Sequence, residues 1–181
     1  MENIEAKFPQ NPPLKTHKII LAVQVCLRIV AMATALAATW VMVTNKQTVL
    51  VFSMSFEARY SFSSALKFFA FANAFACGFT FLSLLYLILF GRHGLTPFNY
   101  FVLFLHDLFM MSLVLSGVAA ATTIGYIGQY GNMHAGWLKI CDRVTEYCHK
   151  STISVALSYV SLICLLVLTI ISASKSRQIK V

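Results

Sequence analysis

Residues 98–124 read FNYFVLFLHDLFMMSLVLSGVAAATTI, an almost continuously apolar stretch. It is long enough to cross a bilayer as a helix, which needs about 20 apolar residues. One acid, Asp107, interrupts it in its first half. An aspartate near the centre of a membrane helix costs about 2.5–3.5 kcal/mol on insertion scales, so Asp107 needs a partner inside the protein.

The partner is predicted from a second apolar stretch, residues 19–43, which contains a single basic residue, Arg28. Arg28 and Asp107 each lie nine residues after the start of their stretch, or about 14 Å along a helix. One further apolar stretch lies between them, so the two helices run in the same direction. The sequence therefore predicts an intramembrane ion pair. A structural brace is favoured over an ion or proton path, because a relay needs a chain of ionisable groups.

The composition indicates a membrane protein, since 59% of the residues are hydrophobic and only 11% are charged. We predict an all-α fold, a four-helix transmembrane bundle that forms one domain over residues 19–173. A disordered tail at residues 1–18 precedes it and a basic tail at residues 174–181 follows it. The predicted spans are residues 19–43, 65–90, 98–124 and 152–173.

The distribution of Lys and Arg predicts that both termini are cytoplasmic. Seven positive residues fall on the side of the tails and six on the other, and the first group lies in a short turn and near the span ends, where the positive-inside rule applies most strongly. The formal net charge of +8 favours contact with anionic lipid headgroups. A nucleic-acid partner is not expected, because no basic and aromatic groove is available outside the membrane.

Two ridges of small residues predict close helix packing, because small side chains let helix backbones approach each other. The ridge on the third span shares the face of Asp107, so we assign it to packing within the protomer. The ridge on the second span, beside Asn73, is flanked by phenylalanines and is assigned to contact between protomers. The ridges consist of Ala70, Ala74 and Gly78 on the second span, and of Gly117, Ala121 and Gly125 on the third.

After the third span, glycines alternate with Tyr126, Tyr130 and Trp137. Tyrosine and tryptophan are enriched where a membrane meets water, so these residues are predicted to form an interfacial aromatic belt. The belt leads into a constrained loop on the side opposite the tails.

This loop contains Cys141 and Cys148, which the predicted topology exposes to the oxidising side of the membrane. A disulfide that closes a small loop is therefore expected. The alternative is a zinc site that adds His134 and His149. The C-x6-C spacing differs from that of zinc knuckles and favours the disulfide.

No sequence pattern indicates catalysis or a resident cofactor. The chain has no H-E-x-x-H, G-x-S-x-G or nucleotide-binding loop, and no C-x-x-C of a membrane thiol oxidoreductase. His106 adjoins Asp107, but successive residues diverge by about 100° around a helix. We therefore expect His106 to face a neighbouring helix or lipid, and we expect no catalytic and no metal-binding residues.

Taken together, these motifs resemble the plant Casparian strip membrane domain protein-like (CASP-like) family. The resemblance covers roughly residues 18–175. It is carried by Arg28 on the first span with Asp107 on the third, and by VMVTNKQT at 41–48, DLFMM at 107–111, AAATTIGYIG at 119–128 and GWLKIC at 136–141 followed by Cys148.

The resemblance implies a four-helix plasma-membrane protein, distantly similar to the MARVEL domain, with cytoplasmic ends. Founding members of the family assemble into scaffolds that bar lateral diffusion and recruit lignin-forming enzymes. They share a signature in the first extracellular loop, and residues 49–60 (VLVFSMSFEARY) lack it, so the resemblance is to the wider group. The expected partners are the bilayer, further copies of the chain and its relatives in homo- and hetero-oligomers, and extracellular wall-modifying enzymes. The alternative function is a pore or transporter subunit with Arg28 and Asp107 along the path.

Overall fold

The computed structural model describes residues 14–51, 54–91 and 97–177. Within this part of the chain, four helices are long and apolar enough to cross a membrane, which confirms the predicted fold class. Residues 1–13, 52–53, 92–96 and 178–181, which include most of the predicted N-terminal tail and the end of the predicted basic tail, lie outside the described residues. The helices are α1 (Leu14–Thr44), α2 (Ser64–Gly91), α3 (Pro97–Tyr130) and α4 (Thr145–Arg177).

The four helices form an up-and-down bundle. Helix α1 packs against α2 and α4, and α3 also packs against α2 and α4. Consequently α1 and α3 occupy opposite corners of the bundle, and so do α2 and α4. The middle of the buried face of α1 consists of the small residues Ala31, Ala35 and Ala38, which are at most 2% exposed. Small side chains on this face bring the neighbouring backbones close to α1.

Four helix ends differ from the predicted spans by four residues or more, and one of them is the end of α4, which lies at Arg177 instead of residue 173, inside the predicted basic tail. Helix α1 begins at Leu14, inside the predicted tail, α3 continues to Tyr130 instead of ending at residue 124, and α4 begins at Thr145 instead of residue 152. Hydropathy marks only the part of a helix that lies in hydrocarbon, whereas backbone hydrogen bonding continues beyond it. The 34 residues of α3 span about 50 Å, well over the ~30 Å of a bilayer core. Helices α3 and α4 are therefore both longer than a crossing of the hydrocarbon core requires.

Gly131 ends α3. Its φ of +70° lies in the left-handed region, and its N–H donates to the carbonyl of Ile127 at 2.8 Å, which is the αL type of helix C-terminus. A Cβ at this position would lie 2.8 Å from the carbonyl oxygen of Trp137. Only glycine can adopt this backbone conformation and also leave room for the loop that follows.

A β-hairpin links α1 to α2. Strand β1 (Lys46–Val51) pairs antiparallel with β2 (Met54–Arg59), so that Lys46 lies opposite Arg59 and Leu50 lies opposite Ser55. The apolar residues 49–51 form the second half of β1. A 3-10 turn, Tyr60–Phe62, then leads into α2.

Candidate functional site: a polar junction inside the bundle

The Arg28 guanidinium and the Asp107 carboxylate form a bidentate ion pair. Nη1 donates to Oδ1 at 2.8 Å and Nη2 donates to Oδ2 at 2.7 Å. Both side chains are completely buried. Since α1 and α3 occupy opposite corners, this pair crosses the diagonal of the bundle. The planar guanidinium and carboxylate groups form two parallel hydrogen bonds, which strengthen the contact and also fix the relative orientation of the two side chains.

The other two helices complete the site. Arg28 Nη1 also donates to Ser83 Oγ of α2 at 2.5 Å, and Ser172 Oγ of α4 approaches Asp107 Oδ2 at 3.4 Å. Both serines are buried. One polar side chain from each of the four helices therefore meets at this point, which we call the polar junction: Arg28, Ser83, Asp107 and Ser172.

His106 packs against a neighbouring helix, as expected from the sequence, and it also contacts the polar junction. Its Nδ1 is 3.2 Å from Asp107 Oδ1, and its ring centroid is 6.3 Å from that of Phe79 on α2. The Cβ atoms of adjacent residues diverge around a helix, but rotation of the imidazole brings Nδ1 back to the carboxylate. Asp107 is thereby contacted from three sides.

A second set of polar contacts crosses the other diagonal, closer to the opposite end of the bundle. Ser158 Oγ of α4 donates to Asn73 Oδ1 of α2 at 2.6 Å, and Asn73 Nδ2 donates to the carbonyl of Phe69 at 2.9 Å. A buried asparagine in a membrane helix needs a hydrogen-bond partner, but hydropathy does not indicate which residue that partner is. Ser158 lies fourteen residues before Ser172 on α4, which is about 21 Å along the helix.

Serines also attach α4 to α1. Ser154 Oγ donates to the carbonyl of Ala38 at 2.7 Å, and Ser161 Oγ donates to the carbonyl of Ala31 at 3.0 Å. These bonds require a close approach of the two backbones, which the alanines of α1 permit. The repeated serines on one face of α4 are the sequence signal for this contact.

Each small-residue ridge divides into a buried and an exposed part. Ala70, Gly117 and Ala121 are buried, and a Cβ at Gly117 would lie 3.1 Å from the Cβ of Ala72. Gly125 is exposed, which corrects its assignment to packing within the protomer, and Ala70 is part of the core, which corrects its assignment to contact between protomers. Ala74 and Gly78 are exposed. Nothing lies within 4 Å of a Cβ built at Gly78 or Gly125. The physical reason is that steps of four residues drift by about 40° each around a helix of 3.6 residues per turn.

Two carboxamides that sequence reasoning did not assign join the hairpin to α4. Asn45 Nδ2 donates to the carbonyl of Tyr147 at 2.8 Å and to Ser151 Oγ at 3.1 Å, while Gln47 Oε1 accepts from the Tyr147 N–H at 2.9 Å. The N–H groups in the first turn of a helix have no partner within the helix, so Gln47 caps α4 from outside. We call Asn45 and Gln47 the outer clamp. Both belong to the quoted motif VMVTNKQT, which is the signal that could have indicated them.

Cys141 and Cys148 are joined by a disulfide, with their Cα atoms 5.7 Å apart. The carbonyl of Gly128 on α3 accepts from the N–H groups of Ile140 and Cys141 at 2.9 and 3.0 Å. A Cβ at Gly128 would lie 3.5 Å from Cys141 Sγ. These hydrogen bonds hold the outer loop against α3, and the disulfide ties the same loop to Cys148 in the first turn of α4, next to the clamped Tyr147.

The predicted interfacial aromatics surround this loop. Tyr126, Tyr130 and Trp137 are 64%, 62% and 53% exposed. Tyr126 and Tyr130 are one turn apart on the last part of α3, with ring centroids 4.8 Å apart. Exposed amphipathic rings at the end of a long apolar helix suit the boundary between hydrocarbon and water.

The chemistry available at the polar junction is that of a charge-neutral hydrogen-bonded brace. The two charges cancel, and each carboxylate oxygen already accepts at least one hydrogen bond. Within the described residues, no three His, Cys, Asp or Glu side chains come together in a way that could hold a metal ion. His134 and His149 do not join the cysteines in such a group. The fold and the junction define a four-helix membrane protein whose helices are cross-braced through the core.

Comparison with known proteins identifies the family. The model of the Casparian strip membrane protein domain matches residues 18–164. CASP-like protein 1F1 of Vitis vinifera is 55% identical over 181 residues, all of this chain and 88% of that protein. CASP-like protein 1F2 of Populus trichocarpa is 54% identical over the full length of both chains. CASP-like protein 1F1 of Arabidopsis thaliana is 40% identical over 169 residues, 93% of this chain and 97% of that protein. No solved structure matches the chain.

The chain therefore belongs to the CASP-like family of plant membrane proteins, as the sequence motifs predict. The quoted motifs contain both residues of the outer clamp, in the VMVTNKQT segment, and both cysteines of the disulfide.

Proposed function

We propose that this protein is a non-catalytic scaffold of the plasma membrane that associates with itself and with related family members. Both termini are cytoplasmic, and the assembled protein organises a membrane domain or holds wall-modifying enzymes at the outer surface. The proposal rests on one observation: the two charged groups of the polar junction are completely buried and paired with each other. Arg28 and Asp107 are both 0% exposed and bind each other in two hydrogen bonds.

This buried pairing favours a scaffold over a pore or transporter subunit. A conduction path between protomers would place Arg28 and Asp107 on the outer surface of the bundle, where a second protomer could approach them. Instead, their contacts come from all four helices of one protomer. A brace of this kind stabilises a fixed helix arrangement, which suits a protein that presents constant surfaces to its neighbours.

The surface available for lateral association is the outward face of α2. Gly78 and Ala74 are exposed there, and the rings of Phe71, Phe75 and Phe79 stack beside them with centroid distances of 5.7 and 4.3 Å. A groove at Gly78 flanked by aromatic rings permits close approach of a helix from a second protomer. Lipid covers the same face when the protomer is alone.

The outer surface is held rigidly, which suits recruitment of partners. The outer clamp binds the hairpin to α4, the disulfide joins the outer loop to Cys148 of α4, and the carbonyl of Gly128 holds the same loop against α3. An extracellular partner would therefore meet a surface that loses little conformational entropy on binding.

The proposal is tested by fluorescence recovery after photobleaching of a tagged copy at native expression, combined with crosslinking to identify its neighbours. A scaffold should recover slowly and crosslink to itself and to relatives. The purified protein should not conduct ions in liposomes. Free lateral diffusion together with ion conductance would contradict the scaffold function and support a pore subunit instead.

A further inference from the structure

Gln24 on α1 has a completely buried carboxamide without a hydrogen-bond partner. Its exposure is 0%, and neither Nε2 nor Oε1 finds a partner within the described residues. Burial of an unpaired amide is unfavourable in any protein. It is more so inside a membrane bundle, because bulk water is not available there to replace the missing bonds.

A second unpartnered group lies one turn away. Arg28 follows Gln24 by four residues, so the two side chains share a face of α1. Nη1 and Nη2 of Arg28 are bonded in the polar junction. Its Nε is buried and has no hydrogen-bond partner among the residues that the structure describes. Gln24 supplies donors at Nε2 and an acceptor at Oε1, and Arg28 supplies one further donor at Nε. Donors and an acceptor thus remain unused on one face.

The charge of the neighbourhood decides what this face can bind. The bidentate bond to Asp107 already compensates the charge of Arg28. An added anion would lie near the Asp107 carboxylate and an added cation near the Arg28 guanidinium, so both are unfavourable. The ligand must be neutral, small enough for a packed bundle, and able to donate to Gln24 Oε1 while accepting from an N–H group. Water has these properties, and buried waters typically bridge two to four such groups.

We propose that Gln24 and the Nε of Arg28 form a buried water site, which extends the polar junction by one helical turn towards the start of α1. The bound water accepts from Arg28 Nε or Gln24 Nε2 and donates to Gln24 Oε1. Gln24 acts as a positioning residue for Arg28 through this water. This role is independent of self-association, so the site and the proposed scaffold function can fail separately.

The site is tested by nuclear magnetic resonance on the intact protein in nanodiscs. Gln24 is the only glutamine preceded by valine, so labelling with ¹³C-carbonyl valine and uniformly ¹³C,¹⁵N-labelled glutamine identifies its backbone amide and, through the labelled side-chain carbons, its carboxamide without a substitution. The Gln24 side-chain amide should show a through-space cross-peak to water. The control is Asn73, which is equally buried but already bonded to Phe69 and Ser158, and it should show none. Absence of the Gln24 water cross-peak would overturn the proposal.

A stability measurement provides a second, independent test. In a dry site, Gln24→Met would remove two unpaired polar atoms and raise the unfolding midpoint by more than about 4 °C. If water bridges the site, the same substitution displaces it and leaves Arg28 Nε unpaired, so the midpoint should stay the same or fall. Gln129→Met, at an exposed position, should have little effect. A clear rise for Gln24→Met alone would contradict the water site.

Discussion

Arg28 binds both carboxylate oxygens of Asp107 although α1 and α3 lie at opposite corners of the bundle. The contact passes through the core and receives a serine from each of the other two helices. Removing either member leaves a buried charge without its partner, which is far more costly than removing both.

The first prediction follows from this asymmetry. Arg28→Ala and Asp107→Ala should each prevent delivery to the plasma membrane, because an unpaired buried charge costs on the order of 3–5 kcal/mol. The double variant should be less damaged than the sum of the two. Surface delivery in plant cells and the unfolding midpoint of the purified protein measure this coupling.

The matched control is the exposed pair Lys139–Asp142, 3.3 Å apart on the outer loop. Alanine substitution of Lys139 should change stability by less than about 1 kcal/mol, as is usual for exposed ion pairs. Simple additivity of the Arg28 and Asp107 effects would show that the pair is not coupled.

The second prediction concerns the disulfide. Non-reducing mass mapping of protein from the cell surface should find Cys141 joined to Cys148. Cys141→Ser should lower stability by about 2–3 kcal/mol, the value that loop entropy gives for a short loop. Cys26→Ser and Cys77→Ser serve as controls, since these thiols are free. Two free thiols at 141 and 148 on protein at the cell surface would refute the bridge.

The third prediction concerns the outer clamp. Gln47→Ala removes the cap on Tyr147, and Asn45→Ala removes two further bonds to α4. Loss of one hydrogen bond worth about 1 kcal/mol makes local opening roughly five-fold more favourable. The amide hydrogens of the β1–β2 hairpin should therefore exchange with deuterium at least about five-fold faster in these variants than in the unchanged protein. Gln129→Ala should leave the exchange unchanged. Equal exchange in all variants would mean that the hairpin is held by other contacts.

The fourth prediction separates association from folding. Gly78→Leu should reduce self-association and leave membrane delivery intact, because Gly78 faces open space on the outside of α2. Ala121→Leu and Gly117→Leu should impair folding, because both positions are buried and overpacking a core costs about 1–3 kcal/mol or more. Step counting of single tagged complexes and surface delivery distinguish the two effects. Oligomers of normal size from Gly78→Leu would exclude this face as the interface.

The sequence alone is sufficient to predict the spans and the candidate pairs. Hydropathy is a local property, so each span follows from its own residues. Arg28 and Asp107 can be paired because each is the only ionised residue in its apolar stretch, and the number of intervening spans determines their direction. Cys141 and Cys148 can be paired because they are the two cysteines outside the predicted spans.

Only the tertiary structure decided which faces meet. The rotation of each helix about its axis depends on packing with its neighbours, so the sequence could not distinguish buried Gly117 from exposed Gly125 within one ridge. The same rotation places Ser158 against Asn73. Contacts between residues far apart in the chain, such as Gln47 with Tyr147, depend on where the loops fold back over the bundle. That path is set by the combined geometry of all four helices, which no single segment encodes.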